Sequence, residues 1–231
     1  MEQKQKELYH AHAQRLALML QNQTEEEFAD SRFQVLSELT RLRQLCCDPA
    51  LVYENYEGGS AKLDLCIELI QSAVESGHKI LLFSQFTSMI EILTARLQEE
   101  SISYFVLQGS TKKEQRAQMV EQFNRDDTSV FCISLKAGGT GLNLTGADIV
   151  IHYDPWWNVA VENQATDRAH RIGQKNVVTV YKLIAKGTIE EKIIKLQQMK
   201  KELAEEILSG DEIKTASFQR EELLELLEER F

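Results

Sequence analysis

Apolar positions change their period twice along the chain. Over residues 1–47 they recur at helical spacing, with Leu8, Leu16 and Leu20 joined by Ala13 and Ala17 on one side of a 3.6-residue repeat. Thr24 with Glu27 three residues on is a capping-box signature, so the pattern predicts two helices, the second opened there. That helix has to end before Asp48-Pro49, because a residue preceding proline avoids the α region. Glu57-Gly58-Gly59-Ser60 reads as a turn or linker into a helix over 61–75. Short apolar runs then alternate with longer amphipathic ones. Strands are predicted at 79–83, 104–107, 130–133, 149–151 and 177–181. Helices are predicted at 86–99, at 112–123 behind a Thr111/Glu114 capping box, and at 158–170. β-branched and aromatic strands spaced by helices imply an α/β fold, a parallel sheet with helices on both faces. The period then returns to helical. Thr188 and Glu191 open a long helix over 188–208, and 218–229 reads as another.

The residues that do not fit a core fall in a regular place. Ser84-Gln85, Gln108-Gly109-Ser110-Thr111, Ser134 through Gly141, and Asp154-Pro155-Trp156-Trp157 each follow a predicted strand. In open α/β sheets ligands bind beyond the carboxyl ends of the strands, so four such turns mark one working rim. Glycine and serine also make ordinary turns, but Lys136 and the two tryptophans are not turn formers.

Charge changes this picture through its distribution. The formal net charge is −10 over 231 residues, which taken alone disfavours nucleic acid. Residues 201–231 account for −6 of it, whereas 108–186 carry +2. A mildly basic middle permits a phosphate-tracking surface, with weak DNA binding expected of this piece alone. No apolar run approaches the ~18 residues of a membrane span, and Met1-Glu2-Gln3-Lys4 does not begin a signal peptide. Cys46, Cys47, Cys66 and Cys132 lack C-x-x-C spacing, which argues against a metal site and for a reducing compartment.

Two segments carry chemistry. Lys136-Ala137-Gly138-Gly139-Thr140-Gly141-Leu142-Asn143 has glycines that let backbone N–H groups approach a phosphate, with Lys136 adding charge. By itself it fits a tight structural turn equally well. Gln164 through Gln174 is more telling. On a helix Arg168 and Arg171 share a face, with Gln164 one turn earlier, and two guanidiniums aimed together suit a polyphosphate. The plainer alternative is a solvated face in which Glu162 and Asp167 pair with the arginines.

Residues 80–200 resemble the second, RecA-like helicase lobe of the Swi/Snf family in helicase superfamily two. The resemblance runs through Leu82-Phe83-Ser84-Gln85-Phe86, then Gly109-Ser110-Thr111 with Arg116 and Phe123-Asn124, then Gly138 through Thr145. It continues through Asp154 to Asn158 and Gln164 to Gln174, and into a brace from Lys182-Leu183-Ile184 to Glu191. Leu42 to Cys46 resemble the family's helical insertion. Val159 stands where the family often has proline, and Cys47-Asp48-Pro49 replaces a frequent Asn-His-Pro. The Cys-Cys-Asp-Pro form is read as more bacterial or archaeal than eukaryotic. The expected compartment is therefore the cytoplasm, at the nucleoid, or the nucleus for a eukaryotic source.

The resemblance implies an order of 1–60 helical insertion or linker, 61–186 RecA-like lobe, and 187–231 helical brace with acidic tail. It implies Arg168 and Arg171 as arginine fingers for ATP with Mg²⁺, both held mainly by a first lobe. Gln164 lies beside the nucleotide, and Gly139 and Gly141 line the cleft. Ser84, Gln85, Gly109, Ser110, Thr111 and Lys136 face phosphates of double-stranded DNA, and Trp157 couples the DNA groove to ATP turnover. His170 is read as structural. The partners implied are duplex DNA and the N-terminal RecA-like lobe of the same protein, with a DNA-bound protein complex left open and no membrane. The sequence contains no G-x-x-x-x-G-K-[ST] loop and no Asp-Glu-x-His after a strand, so this piece alone is expected to be inactive. Three alternatives stay open: a strand-separating helicase lobe, a glycine-rich small-molecule enzyme, and a protein-interaction platform using the acidic tail.

Overall fold

Five strands in parallel register form the scaffold of the protein. The structure is a computed structural model that describes residues 1–135, 137, 142–169, 176–207 (side chains to 198) and 223, 224 and 227. The chain divides into two units, Ala61–Ile184 and Met1–Ser60 with Ala185–Phe231.

The first unit holds the sheet. Helix α3 (Ala61–Glu75) leads into β1 (Ile80–Ser84), α4 (Thr87–Glu99), β2 (Tyr104–Leu107), α5 (Lys113–Arg125) and β3 (Val130–Ser134). There follow β4 (Ile149–His152), α6 (Val159–Thr166) and β5 (Thr179–Lys182). Strand order is β2-β3-β1-β4-β5, all parallel, with Ser84 level with Ser134 and Phe83 level with His152. The chain leaves β1 towards one edge and later returns to its other side, so the topological switch lies at the carboxyl ends of β1, β3 and β4. That crevice is where a doubly wound sheet binds ligands.

Burial follows this order. Every residue of β1, β3 and β4 is buried, whereas all four of β5, an edge strand, are exposed. Alternation sends Leu81, Phe83, Phe131, Ile133 and Val150 to one face, where they pack with Phe123 of α5 and Ala165 of α6. On the other face the buried residues include Cys66, Ile67 and Ile70 of α3 and Met89, Ile90 and Leu93 of α4. The expected α/β sheet with helices is found.

The second unit is helical. Helices α1 (Gln3–Gln21) and α2 (Glu25–Cys47) pack together, and the brace helix α7 (Ile189–Ile207) packs on α2. The buried side of α1 is Gln5, Tyr9, Ala13, Leu16 and Leu20, with Leu8 and Ala17 on its flank. The predicted box at α2 is present: Thr24 Oγ1 accepts from Glu27 N at 3.3 Å, and Thr24 N donates to Glu27 Oε2 at 2.8 Å. At α7, Thr188 Oγ1 accepts from Glu190 N and Glu191 accepts from Gly187 N, with Gly187 at φ +72°. Tyr9 Oη accepts from Ile189 N at 2.7 Å. Among the described residues no helix is long and apolar enough to cross a membrane.

Three local expectations need correction, and a fourth is not covered by the structure. Thr111 does not cap α5. Its hydroxyl turns back to accept Gln108 N at 3.1 Å, and the N-cap position falls on Lys112. Helix α6 ends at Thr166, four residues early, because the chain tightens into i−3 turns at Arg168 and Ala169. Strand β5 runs over 179–182 instead of 177–181, its register set by Thr179 N donating to Asp148 O. The helix predicted at 218–229 lies outside the described residues apart from Leu223, Leu224 and Leu227.

Candidate functional site

The rim turns occupy the carboxyl ends of the strands. At the end of β1, Ser84 is fully buried, and its hydroxyl donates to Asp154 Oδ1 at 2.6 Å. Gln85 N approaches the same carboxylate at 3.3 and 3.4 Å, and Phe86 N donates to Ser84 Oγ at 3.2 Å. Ser84 was expected to face phosphates. It instead joins β1 to the turn after β4, because a buried hydroxyl needs an internal partner. Gln85 is half-buried, and its side-chain nitrogen is buried with no hydrogen-bond partner among the described residues.

Gly109 and Ser110 are exposed on the turn after β2, with Thr111 half-buried. Arg116, from α5, holds this turn from behind. Its Nε donates to Thr111 O at 2.8 Å, and one terminal nitrogen donates to Gly109 O at 3.0 Å and Gln108 O at 3.3 Å. With these carbonyls gathered onto Arg116, the expected DNA-facing trio has a fixed backbone.

Beyond β3, Lys136 and residues 138–141, including Gly139 and Gly141, lie outside the described residues. The segment that follows is fastened by Asn124, whose Nδ2 donates to Asn143 O at 2.8 Å and whose Oδ1 accepts Gly146 N at 2.9 Å. A Cβ at Gly146 would stand 3.1 Å from Asn124 Cα, tighter than most Cβ contacts, so a larger residue there would push on the Asn124 backbone. Leu144 N donates to Arg168 O at 3.0 Å, tying the glycine segment to the arginine segment.

The turn after β4 carries both tryptophans. Trp156 and Trp157 are half-buried, and Trp156 packs on the core of the α5/α6 face. Asn158 caps α6 by accepting Ala160 N at 2.9 Å. Glu162 is 1% exposed, and its carboxylate accepts Trp156 N at 2.5 Å and Lys182 Nζ at 2.6 Å. The solvated glutamate of the alternative ion-pair face is therefore ruled out. Gln164 is exposed on α6. Arg168 is 3% exposed and follows the helix instead of standing on it, which corrects the expected pair of projecting guanidiniums. The early end of α6 folds its side chain into the lobe. Arg171 and His170 lie outside the described residues.

Sequence reading passed over His152 and Lys182 as members of the site, since neither lies in a recognisable motif turn. His152 is 1% exposed, stacks on Phe83 with ring centroids 5.5 Å apart, and pairs through Nε2 with Thr166 Oγ1 at 3.0 Å. Burial pushes its pKa down from the ordinary 6.5 to about 4, against the raising pull of Glu162. The folded state therefore resists a proton that the unfolded chain accepts. Stability should be full above pH 6.5 and be lost as the pH falls towards 4. The expected loss between about pH 7 and about pH 5 is on the order of 2 kcal/mol. Urea unfolding at both pH values measures it, and His152→Gln should flatten the dependence. An equal slope in that variant would assign the titration elsewhere.

Among the described residues no three His, Cys, Asp or Glu side chains are placed to hold a metal ion.

The helicase conserved C-terminal domain family matches residues 61–173. An uncharacterized ATP-dependent helicase of Mycoplasma pneumoniae is 45% identical over 202 residues, covering 86% of this chain and 19% of the relative. The human chromatin-remodeling ATPase INO80 is 44% identical over 169 residues, covering 73% of this chain and 11% of INO80. The chain thus spans a fifth or less of these relatives. The C-terminal domain of the Sulfolobus solfataricus SWI2/SNF2 ATPase superposes with a TM-score of 0.73 at 32% identity, covering 91% of this chain and 87% of that one. The core of the same ATPase in complex with double-stranded DNA gives 0.74 at 33% identity, covering 90% and 44%.

Proposed function

Because the chain belongs to the Swi2/Snf2 ATPase family, as a helicase C-terminal lobe, we propose that it is the second motor lobe of an ATP-dependent double-stranded DNA translocase. The observation that carries this reading is the likeness to a SWI2/SNF2 core in complex with duplex DNA, combined with polar turns gathered at the switch point of the sheet.

In this reading Arg171 is the arginine finger, reaching a triphosphate held mainly by a first lobe. Gln164 stands beside the nucleotide, and Gly139 and Gly141 line the cleft. Arg168, buried and backbone-bonded to Leu144, positions that segment without reaching out. Gly109, Ser110, Thr111, Gln85 and Lys136 contact DNA phosphates, which makes tracking largely independent of sequence. Mg²⁺ would come with the nucleotide on the first lobe, where it neutralises phosphate charge. ATP-driven closure and reopening of the two lobes would then step the protein along the duplex.

Phosphate release tests the division of labour. The 231-residue chain alone should release no phosphate above buffer, with or without DNA, whereas the chain joined to its first lobe should show DNA-stimulated turnover. Triplex displacement without strand separation is the expected translocation signature. Turnover by the isolated chain would overturn the proposal, and displacement of a paired strand would move it to the strand-separating class.

A further inference from the structure

Glu162 sits where a charged side chain is expensive. Burying a carboxylate costs several kcal/mol unless it is paired and hydrogen-bonded. One oxygen accepts the backbone N–H of Trp156, and the other accepts Nζ of Lys182, whose side chain is 38% exposed on β5. Helix α6 is thereby fastened at its first turn to both the tryptophan turn and the edge strand. Its last residue, Thr166, is fastened separately, by its hydroxyl to His152 of β4. The neutral state of His152 keeps that second link from adding a positive charge beside Lys182. Arg168 begins two residues beyond Thr166, and Arg171 lies three further on.

A helix of eight residues has few turns to hold its own direction. Among the described residues, two side-chain fastenings, one at each end, together with the Leu144 N bond to Arg168 O, hold α6 where the arginine segment begins. Replacing a buried ion pair by well-packed apolar groups is often neutral in free energy, so stability alone does not call for a carboxylate at this position. This points to a role in orientation.

We infer that Glu162 is a positioning residue, clamped by Lys182, that locks the Trp156–Trp157 turn to the helix leading into Arg168 and Arg171. The inference rests on the motor-lobe reading and adds to it a mechanical link. A displacement of the tryptophans at the DNA-facing rim is carried through Glu162 to the arginine segment at the nucleotide. Lys182 holds the charge that keeps Glu162 inside, and His152 with Thr166 keeps the far end of α6 from swinging.

The chain has two tryptophans, and both lie on this turn. Intrinsic emission of the 231-residue chain therefore reads the fastening directly, independent of catalysis. In Glu162→Ala and Lys182→Met the emission maximum should shift to the red, with increased acrylamide quenching and with far-ultraviolet circular dichroism unchanged. In the two-lobe protein the same variants should lose at least about tenfold in DNA-stimulated kcat, while KM for ATP and DNA affinity stay within about twofold. Glu162→Gln keeps an acceptor for the Trp156 amide and should fall between wild type and Glu162→Ala on both readouts. It decides the matter if Glu162→Ala does not fold. Wild-type emission, or shifted emission with wild-type kcat, overturns the inference. If Arg171→Ala also keeps full turnover, the arginine reading fails, whereas the emission result still judges the fastening.

Discussion

Arg171→Ala in the two-lobe protein is expected to lower DNA-stimulated ATP turnover by about 10³–10⁵-fold, with nucleotide binding mostly retained. A guanidinium placed against a transferring phosphoryl group stabilises charge that develops only in the transition state, so its loss appears in kcat far more than in binding. Arg171→Lys should not restore activity, because an ammonium lacks the planar fork that grips two oxygens at once. Steady-state phosphate release at saturating duplex, with a fluorescent nucleotide to follow binding, separates the two effects. Arg168→Ala serves as the contrast. Its side chain is folded into the lobe, so the variant should lose thermal stability along with turnover. Wild-type turnover in Arg171→Ala would remove the finger from the mechanism.

The second large effect is structural. Asp154 is 1% exposed and gathers the Ser84 hydroxyl and the Gln85 amide. Asp154→Ala strands both donors in the interior, which costs about 1–3 kcal/mol for each group left unmet. A loss of about 3 kcal/mol shifts the melting temperature of a protein this size by about 6–12 °C. Asp154→Asn keeps one acceptor oxygen and should lose less. An unchanged urea midpoint in Asp154→Ala would show that the link between β1 and β4 contributes nothing measurable.

Much of the local structure was legible from residue order alone. The alternation of short β-branched runs with amphipathic helices, the Thr24 box and the stop before Pro49 all depend on interactions within a turn or two of backbone. Such signals survive in a linear string because sterics and capping act between near neighbours. The motif turns were legible for a related reason, since polar, glycine-rich and aromatic residues recur directly after successive strands in the linear order.

Partner choice across the sheet was decided only by the tertiary structure. Ser84 and Asp154 stand 70 positions apart, and they meet because β1 and β4 run side by side in parallel register. The same register brings Lys182 level with His152, within reach of Glu162. Strand order also separated two strands that read alike. β4 lies inside the sheet and is buried throughout, whereas β5 lies at its edge and is exposed. Thr111 left its predicted cap for Gln108, and Arg168 left its predicted helix for the interior. Capping and helix propensity at single positions are worth only about 1 kcal/mol, so a competing turn, as at Thr111, or burial of the side chain, as at Arg168, suffices to override them.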